Sequence, residues 1–182
     1  MSKSILVLTG SPRKGGNSDK LADSFIKGAI AAGHSVHKIE TAFKNIHPCI
    51  GCNVCIREGT KCVIHDDFDE IASILESADV IVFASPLYWG GVSGQLKIAW
   101  DRIHAYTRGK NRERHTVSES VLLITAHSDI KKAKPLVDIY KNCGNFMGWK
   151  DRGVIAVDGL LEKDDIIGNN ALSEAEYLGE II

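Results

Sequence analysis

No stretch of this sequence is apolar for long enough to span a bilayer, and its first residues show no charged-then-apolar leader ending in small side chains. The chain is therefore expected to be soluble and cytoplasmic, with no membrane partner. Excess charge is missing as well. Its 22 Lys and Arg against 23 Asp and Glu leave a net charge of −1 and a sequence pI near 6.6. That is too weak a field to gather nucleic acid or an anionic surface. Internal repeats, low-complexity tracts and a second-domain boundary are absent, so residues 1–182 read as one domain. A chain of this length buries roughly two thirds of its unfolded surface and needs no disulfide staples. Without a secretion signal, the five cysteines are expected to be reduced thiols. Four of them, Cys49, Cys52, Cys55 and Cys62, fall within fourteen positions, which points to a site.

Ser4-Ile-Leu-Val-Leu-Thr9 is a short apolar run stopped by Gly10-Ser11-Pro12, the mark of a strand buried on both faces. Between Ser18 and Ala32, Leu21, Ala22, Phe25, Ile26, Ala29 and Ile30 recur at three and four before Gly33, predicting an amphipathic helix. Residues 35–40 alternate as a second strand. A long connection carrying the cysteines, a cysteine-rich insertion at about 47–65, then reaches Asp66-Asp67, which read as caps of a helix through Glu76. Further strands are predicted at 79–85, 121–125 and 153–157, and helices across 94–106, within 130–146 and from 171 onward. Continuously apolar strands alternating with helices call for a parallel sheet covered on both faces. Five such units suit a flavodoxin-like three-layer α/β sandwich with strand order 2-1-3-4-5. Chain direction reverses between strands one and three in that order, leaving a crevice after Thr9, after Ser85 and after Thr125.

Residues 10–18, Gly-Ser-Pro-Arg-Lys-Gly-Gly-Asn-Ser, run from strand one into the first helix. Free N–H groups and the positive helix end there favour an anion, with phosphate the natural occupant. Ser11, Asn17 and Ser18 can donate further bonds, Arg13 or Lys14 can add charge, and Gly15-Gly16 admits close backbone approach. A Walker loop fails because Gly16-Asn17 follows Gly15, and the dinucleotide fingerprint fails because Pro12 takes the middle glycine's place. An ordinary Gly-rich turn is the bland alternative.

Gly10-Ser-Pro-Arg13 with Asn17-Ser18, the 85–91 segment Ser-Pro-Leu-Tyr-Trp-Gly-Gly, and the following Gly94-Gln-Leu-Lys with Asp101-Arg102 together resemble the NAD(P)H-dependent FMN reductases of the flavodoxin-like superfamily. The resemblance covers most of the chain. It implies that Ser11, Arg13, Asn17 and Ser18 hold the FMN phosphate and that Pro86, Leu87, Tyr88, Trp89 and Gly90 line the flavin ring. It also implies NAD(P)H as electron donor and a homodimer or homotetramer in which a neighbouring subunit helps to cover the flavin. The loop Ala126-His127-Ser128-Asp129 departs from the glycine-rich loop common in the family. On the residues alone, 86–90 can offer a flat apolar wall plus backbone donors to a flavin edge, or can pack in a core or interface. The flavin performs the redox step, so no catalytic side chain is required.

Spaced Cys-x2-Cys-x2-Cys-x6-Cys, the four clustered cysteines resemble cluster ligands of ferredoxins and of the iron-sulfur flavoproteins, a branch of the same superfamily. A 4Fe-4S cluster, redox-active thiols and tetrahedral zinc all stay open. Cys143 reads as a small buried residue. The basic stretch 108–114 reads as a solvated loop, with a nicotinamide-nucleotide phosphate as the alternative. The functions to be weighed are an FMN-dependent enzyme reducing a small acceptor (quinone, flavin or metal ion), an iron-sulfur flavoprotein relaying electrons to a small-molecule or protein partner, and a non-redox phosphate binder. A net charge of −1 disfavours the strongly acidic docking surface of simple flavodoxins.

Overall fold

The computed structural model describes residues 1–182. β1 (Ser4–Thr9), β2 (Ser35–Glu40), β3 (Val80–Pro86), β4 (Glu119–Thr125) and β5 (Lys150–Val157) form one parallel sheet in the order 2-1-3-4-5, as the alternation predicts. Alternate residues of β1 feed opposite layers. Ile5 and Val7 face α1 (Asn17–Ala31) and α6 (Asn170–Glu180), where Leu21, Phe25 and Ala175 pack. Leu6 and Leu8 face the layer of α3 (Phe68–Leu75), α4 (Gly94–Arg102) and α5 (Lys134–Met147). Burial on both faces explains why these strands are apolar without interruption.

Several boundaries differ from expectation. The cysteine connection contains a short helix, α2 (Val54–Glu58), opened by Asn53 and closed by Gly59, both with positive φ. At α3 the capping side chain is Asp66, whose Oδ1 accepts from Phe68 N at 2.9 Å, whereas Asp67 accepts from Asn45 N. The helix expected across 94–106 is α-helical to Arg102 and tightens to a 3₁₀ turn over Ile103–Tyr106. Another 3₁₀ turn, Ile130–Ala133, precedes α5, and β5 starts three residues earlier than predicted. Backbone amides rather than apolar periodicity set each of these ends, which is why pattern reading blurs them.

Candidate functional site

At the carboxyl ends of β1, β3 and β4 the chain builds a cleft of about 290 Å³. Ser11, Arg13, Asn17 and Ser18 line one side, Pro86, Leu87 and Tyr88 another, and Thr125 to His127 the floor between them. Seven of the nine expected flavin-contact residues thus meet in one cavity, at the switch point where the strand order reverses. Trp89 and Gly90 line an adjoining hollow of about 630 Å³ with Ser128 and Lys132. Leu87 and Tyr88 border both spaces.

The loop between β1 and α1 is shaped by its own side chains. Ser11 Oγ donates to Arg13 O at 3.0 Å, and Arg13 N donates back to Ser11 Oγ at 3.2 Å. Gly15 N donates to Asp19 Oδ2 at 2.9 Å, and Lys20 Nζ donates to Gly15 O at 2.6 Å. Asp19 is buried, and desolvation pushes its carboxyl above the usual range. Gly16 is the N-cap of α1, so the helix has no side-chain cap. A long helix with an uncapped, positively polarised end opening into a cleft fits a phosphate. Gly10 is required by packing, since a Cβ there would meet Ser93 Oγ at 2.4 Å and Leu96 Cβ at 2.6 Å.

The polar side chains assigned to the phosphate also tie this loop to the rest of the fold. Arg13 Nη1 donates to Leu161 O at 3.0 Å and Asn17 Nδ2 to Glu162 O at 2.8 Å, while Asn17 Oδ1 accepts from Asp164 N. Ser18 Oγ lies 2.6 Å from Thr125 Oγ1, joining α1 to β4 beneath the cleft. Leu160, Leu161 and Lys163 complete the lining from the β5–α6 connection. Sequence reading passed over these three because their loop has neither periodicity nor motif. Their only signal is the turn chemistry of Asp165, which accepts from both Leu161 N and Glu162 N.

The segment after β3 is a two-residue hairpin. Tyr88 and Gly91 exchange both backbone hydrogen bonds, at 2.9 and 3.0 Å, around Trp89 at φ +50° and Gly90 at φ +76°. These are the dihedral signs of a type I′ turn, which suits glycine at Gly90 but strains a tryptophan. Its base is fixed because Leu87 N donates to Thr125 O at 2.8 Å and Ser93 N to Ser85 Oγ at 2.9 Å. Trp89 is fully exposed at the tip.

The cysteines lie elsewhere, on the 47–66 loop. Cys49 is exposed and Cys52, Cys55 and Cys62 are half-buried, all as free thiols. No three Cys, His, Asp or Glu side chains gather closely enough to hold a metal ion, so neither tetrahedral zinc nor a 4Fe-4S cluster fits this arrangement of the four cysteines as it stands. Burial raises the Cys55 thiol, and the charges of Cys62, Cys52 and Cys49 raise it further. Asn111, inside the expected solvated loop, is instead buried, and Arg112 donates to Phe146 O at 3.1 Å. Cys143 is half-buried rather than enclosed and lines an apolar groove of about 520 Å³ between α4 and α5, with Trp100, Ile139, Phe146 and Trp149.

The profile of the family described as NADPH-dependent FMN reductase matches residues 4–147. An iron-sulfur flavoprotein of Methanocaldococcus jannaschii is 44% identical over 98 residues, covering 54% of this chain and 50% of that one. The chain spans about half the length of the first iron-sulfur flavoproteins it matches. YwqN of Bacillus subtilis, described as a candidate NAD(P)H-dependent FMN-containing oxidoreductase, is 27% identical over 179 residues, covering 96% of this chain and 95% of that one. Among solved structures, an NAD(P)H:quinone oxidoreductase from Methanothermobacter marburgensis aligns with a TM-score of 0.79 at 21% identity, covering 99% of this chain and 96% of that one, a likeness of fold.

Proposed function

The chain belongs to the NADPH-dependent FMN reductase family, and from that premise we propose that it is an oxidoreductase passing electrons from NAD(P)H through bound FMN to a small acceptor such as a quinone, a free flavin or a metal ion. One observation carries this: the uncapped N-terminus of α1 and the Pro86–Tyr88 wall open into the same cleft. Bound FMN would supply the hydride and single-electron chemistry. The residues bind and orient. Ser11, Arg13, Asn17 and Ser18, with the first-turn N–H groups of α1, would hold the phosphate. Pro86, Leu87 and Tyr88 would wall the ring, and the N–H groups of Trp89 and Gly90 at the hairpin tip would face its polar edge.

A second reading is favoured by the 44% identity over 98 residues with an iron-sulfur flavoprotein, and it requires the four thiols to come closer together than they stand here. In it the chain would be an iron-sulfur flavoprotein, Cys49, Cys52, Cys55 and Cys62 would hold a 4Fe-4S cluster, and that cluster would supply single-electron chemistry beside FMN. Anaerobic purification with an absorption spectrum and iron and sulfide assays separates the two. The leading proposal expects FMN bound more tightly than FAD and oxidation of NADH or NADPH with at least one of the named acceptors. Equal or tighter binding of FAD, or no turnover with any of them, would sink it. Reconstitution with iron and sulfide that adds no visible absorption would remove the cluster.

A further inference from the structure

The connection between β5 and α6 is tied to the loop between β1 and α1 by three side chains. Arg13 Nη1 donates to Leu161 O at 3.0 Å. Lys20 Nζ bridges Gly15 O and Asp164 Oδ1, each at 2.6 Å. Asn17 is the most committed: Nδ2 donates to Glu162 O at 2.8 Å, and Oδ1 accepts from Asp164 N at 3.1 Å and from Ile166 N at 3.4 Å. Both lone pairs of its oxygen are in use, and one N–H is left for the cleft. The turn is also fixed from within. Ile166 is fully buried in the same apolar cluster as Leu21 and Ala175, and Asp165 accepts from both Leu161 N and Glu162 N.

These ties deliver Lys163. Its side chain lines the cleft with Ser11, Arg13 and Asn17, whereas Lys14, the cation nearer in sequence, does not. Its Nζ stands over Gly15, where a Cβ would meet it at 3.8 Å. Lys163 forms no ion pair, while Lys20 is spent on Asp164. The other carboxylate beside the loop, Asp19, is buried and accepts from Gly15 N. Charge decides what Lys163 is for. A phosphate monoester near neutral pH carries about −1.5 to −2. The N-terminus of α1 offers about +0.5 and Arg13 a full positive charge, which leaves a deficit of up to about half a charge. An unpaired ammonium in the same lining closes it.

We propose that Lys163 binds the phosphate of the flavin, and that Asn17, besides facing the cleft, is a positioning residue that holds Lys163 there through the 161–166 turn. The proposal rests on reading the cleft as an FMN site. It adds that the phosphate end of that site is built from both ends of the chain: the family profile stops at residue 147, and Lys163 lies beyond it. Because Lys163 is exposed, its contribution is modest and screened by salt.

The test titrates flavin-free protein with FMN and with riboflavin, following flavin fluorescence at low and at high sodium chloride. Lys163→Gln removes the charge at an exposed position and is expected to weaken FMN about fivefold while leaving riboflavin within about twofold. Lys163→Arg, which restores the charge, should keep FMN affinity near that of the wild type. Salt should weaken FMN more steeply in the wild type than in Lys163→Gln. Asn17→Ala combined with Lys163→Gln should cost FMN less than the product of the two single losses, because Asn17→Ala has already released the turn that carries Lys163. Losses that multiply in full overturn the positioning role of Asn17. A wild type that prefers FMN to riboflavin, with the same preference and salt slope in Lys163→Gln, overturns the role of Lys163 and leaves the FMN reading standing. A wild type with no preference for FMN over riboflavin sinks that reading and the proposal with it.

Discussion

Trp89 combines a backbone at φ +50° with a side chain fully in water, two features that stability alone would remove. A non-glycine residue held in such a region costs on the order of 1–3 kcal/mol, and such strain clusters at functional loops. Trp89→Gly is accordingly expected to raise the denaturation midpoint by about 1 kcal/mol in free energy while weakening FMN retention or turnover. Urea unfolding beside FMN titration checks it; a less stable variant with unaltered flavin binding would count against a functional Trp89. Ser18 makes a complementary case, since its hydroxyl serves both the cleft and Thr125 Oγ1 at 2.6 Å. Ser18→Ala combined with Asn17→Ala should weaken FMN by about tenfold or more while changing riboflavin little, because only FMN presents a phosphate. Matching losses for the two ligands would move the phosphate site elsewhere.

Between elements, α1 and α6 touch backbone to backbone. A Cβ on Gly28 would lie 1.9 Å from Glu176 O, and one on Gly179 would lie 2.1 Å from Phe25 O. Gly28→Ala gains about 1 kcal/mol of helix propensity, and the clash costs about 1–3 kcal/mol or more, so the clash wins. Thermal unfolding should show a lowered midpoint, with FMN lost early if the loop leading into α1 holds its phosphate as proposed. The base of the 47–66 loop, where Arg102 and Asp66 pair, responds to acid instead. Burial pushes the Asp66 carboxyl up, but the His47 N–H, the Arg102 guanidinium and the Phe68 N–H outweigh it and hold the pKa at about 2. Set against an ordinary aspartate near about 3.9, this stabilisation is complete above about pH 4 and is lost as pH falls toward 2. Asp66→Asn should flatten that stretch of an acid-unfolding curve followed by tryptophan fluorescence. β1, α1 and the loop joining them were legible in the sequence because local rules govern them: an apolar run, a 3.6-residue period, glycines at a tight turn. Asn111 was not, as its carboxamide acts on Cys55 and Thr60, more than fifty positions away in chain order. Arg102 showed itself as part of a motif, but its clamp on His47, Ile64 and Asp66 is a tertiary contact that no spacing announces.

Beyond single elements, an apolar groove of about 520 Å³ lies uncovered between α4 and α5. Ile139 and Phe146, seven positions apart and so on one face of α5, are each 51% exposed beside it. Gly91 and Val92 at its end continue into the hairpin that carries Trp89, so one surface runs from groove to flavin mouth. Apolar side chains exposed along one helix face beside such a groove offer a surface that a partner could cover. If the expected homodimer or homotetramer forms, this face is a place for it, and assembly there would bring a second copy toward the proposed flavin site. Light scattering at micromolar concentration should give at least twice the 19.8 kDa chain mass. Phe146→Glu with Ile139→Lys should return the mass to that of one chain while circular dichroism keeps the α/β signature, because both side chains lie outside the buried core. If assembly completes the flavin site, the same variant loses FMN affinity in step with its mass. A wild type that is monomeric yet retains FMN and turns over NAD(P)H would show that one chain suffices, and the groove would then need a different explanation.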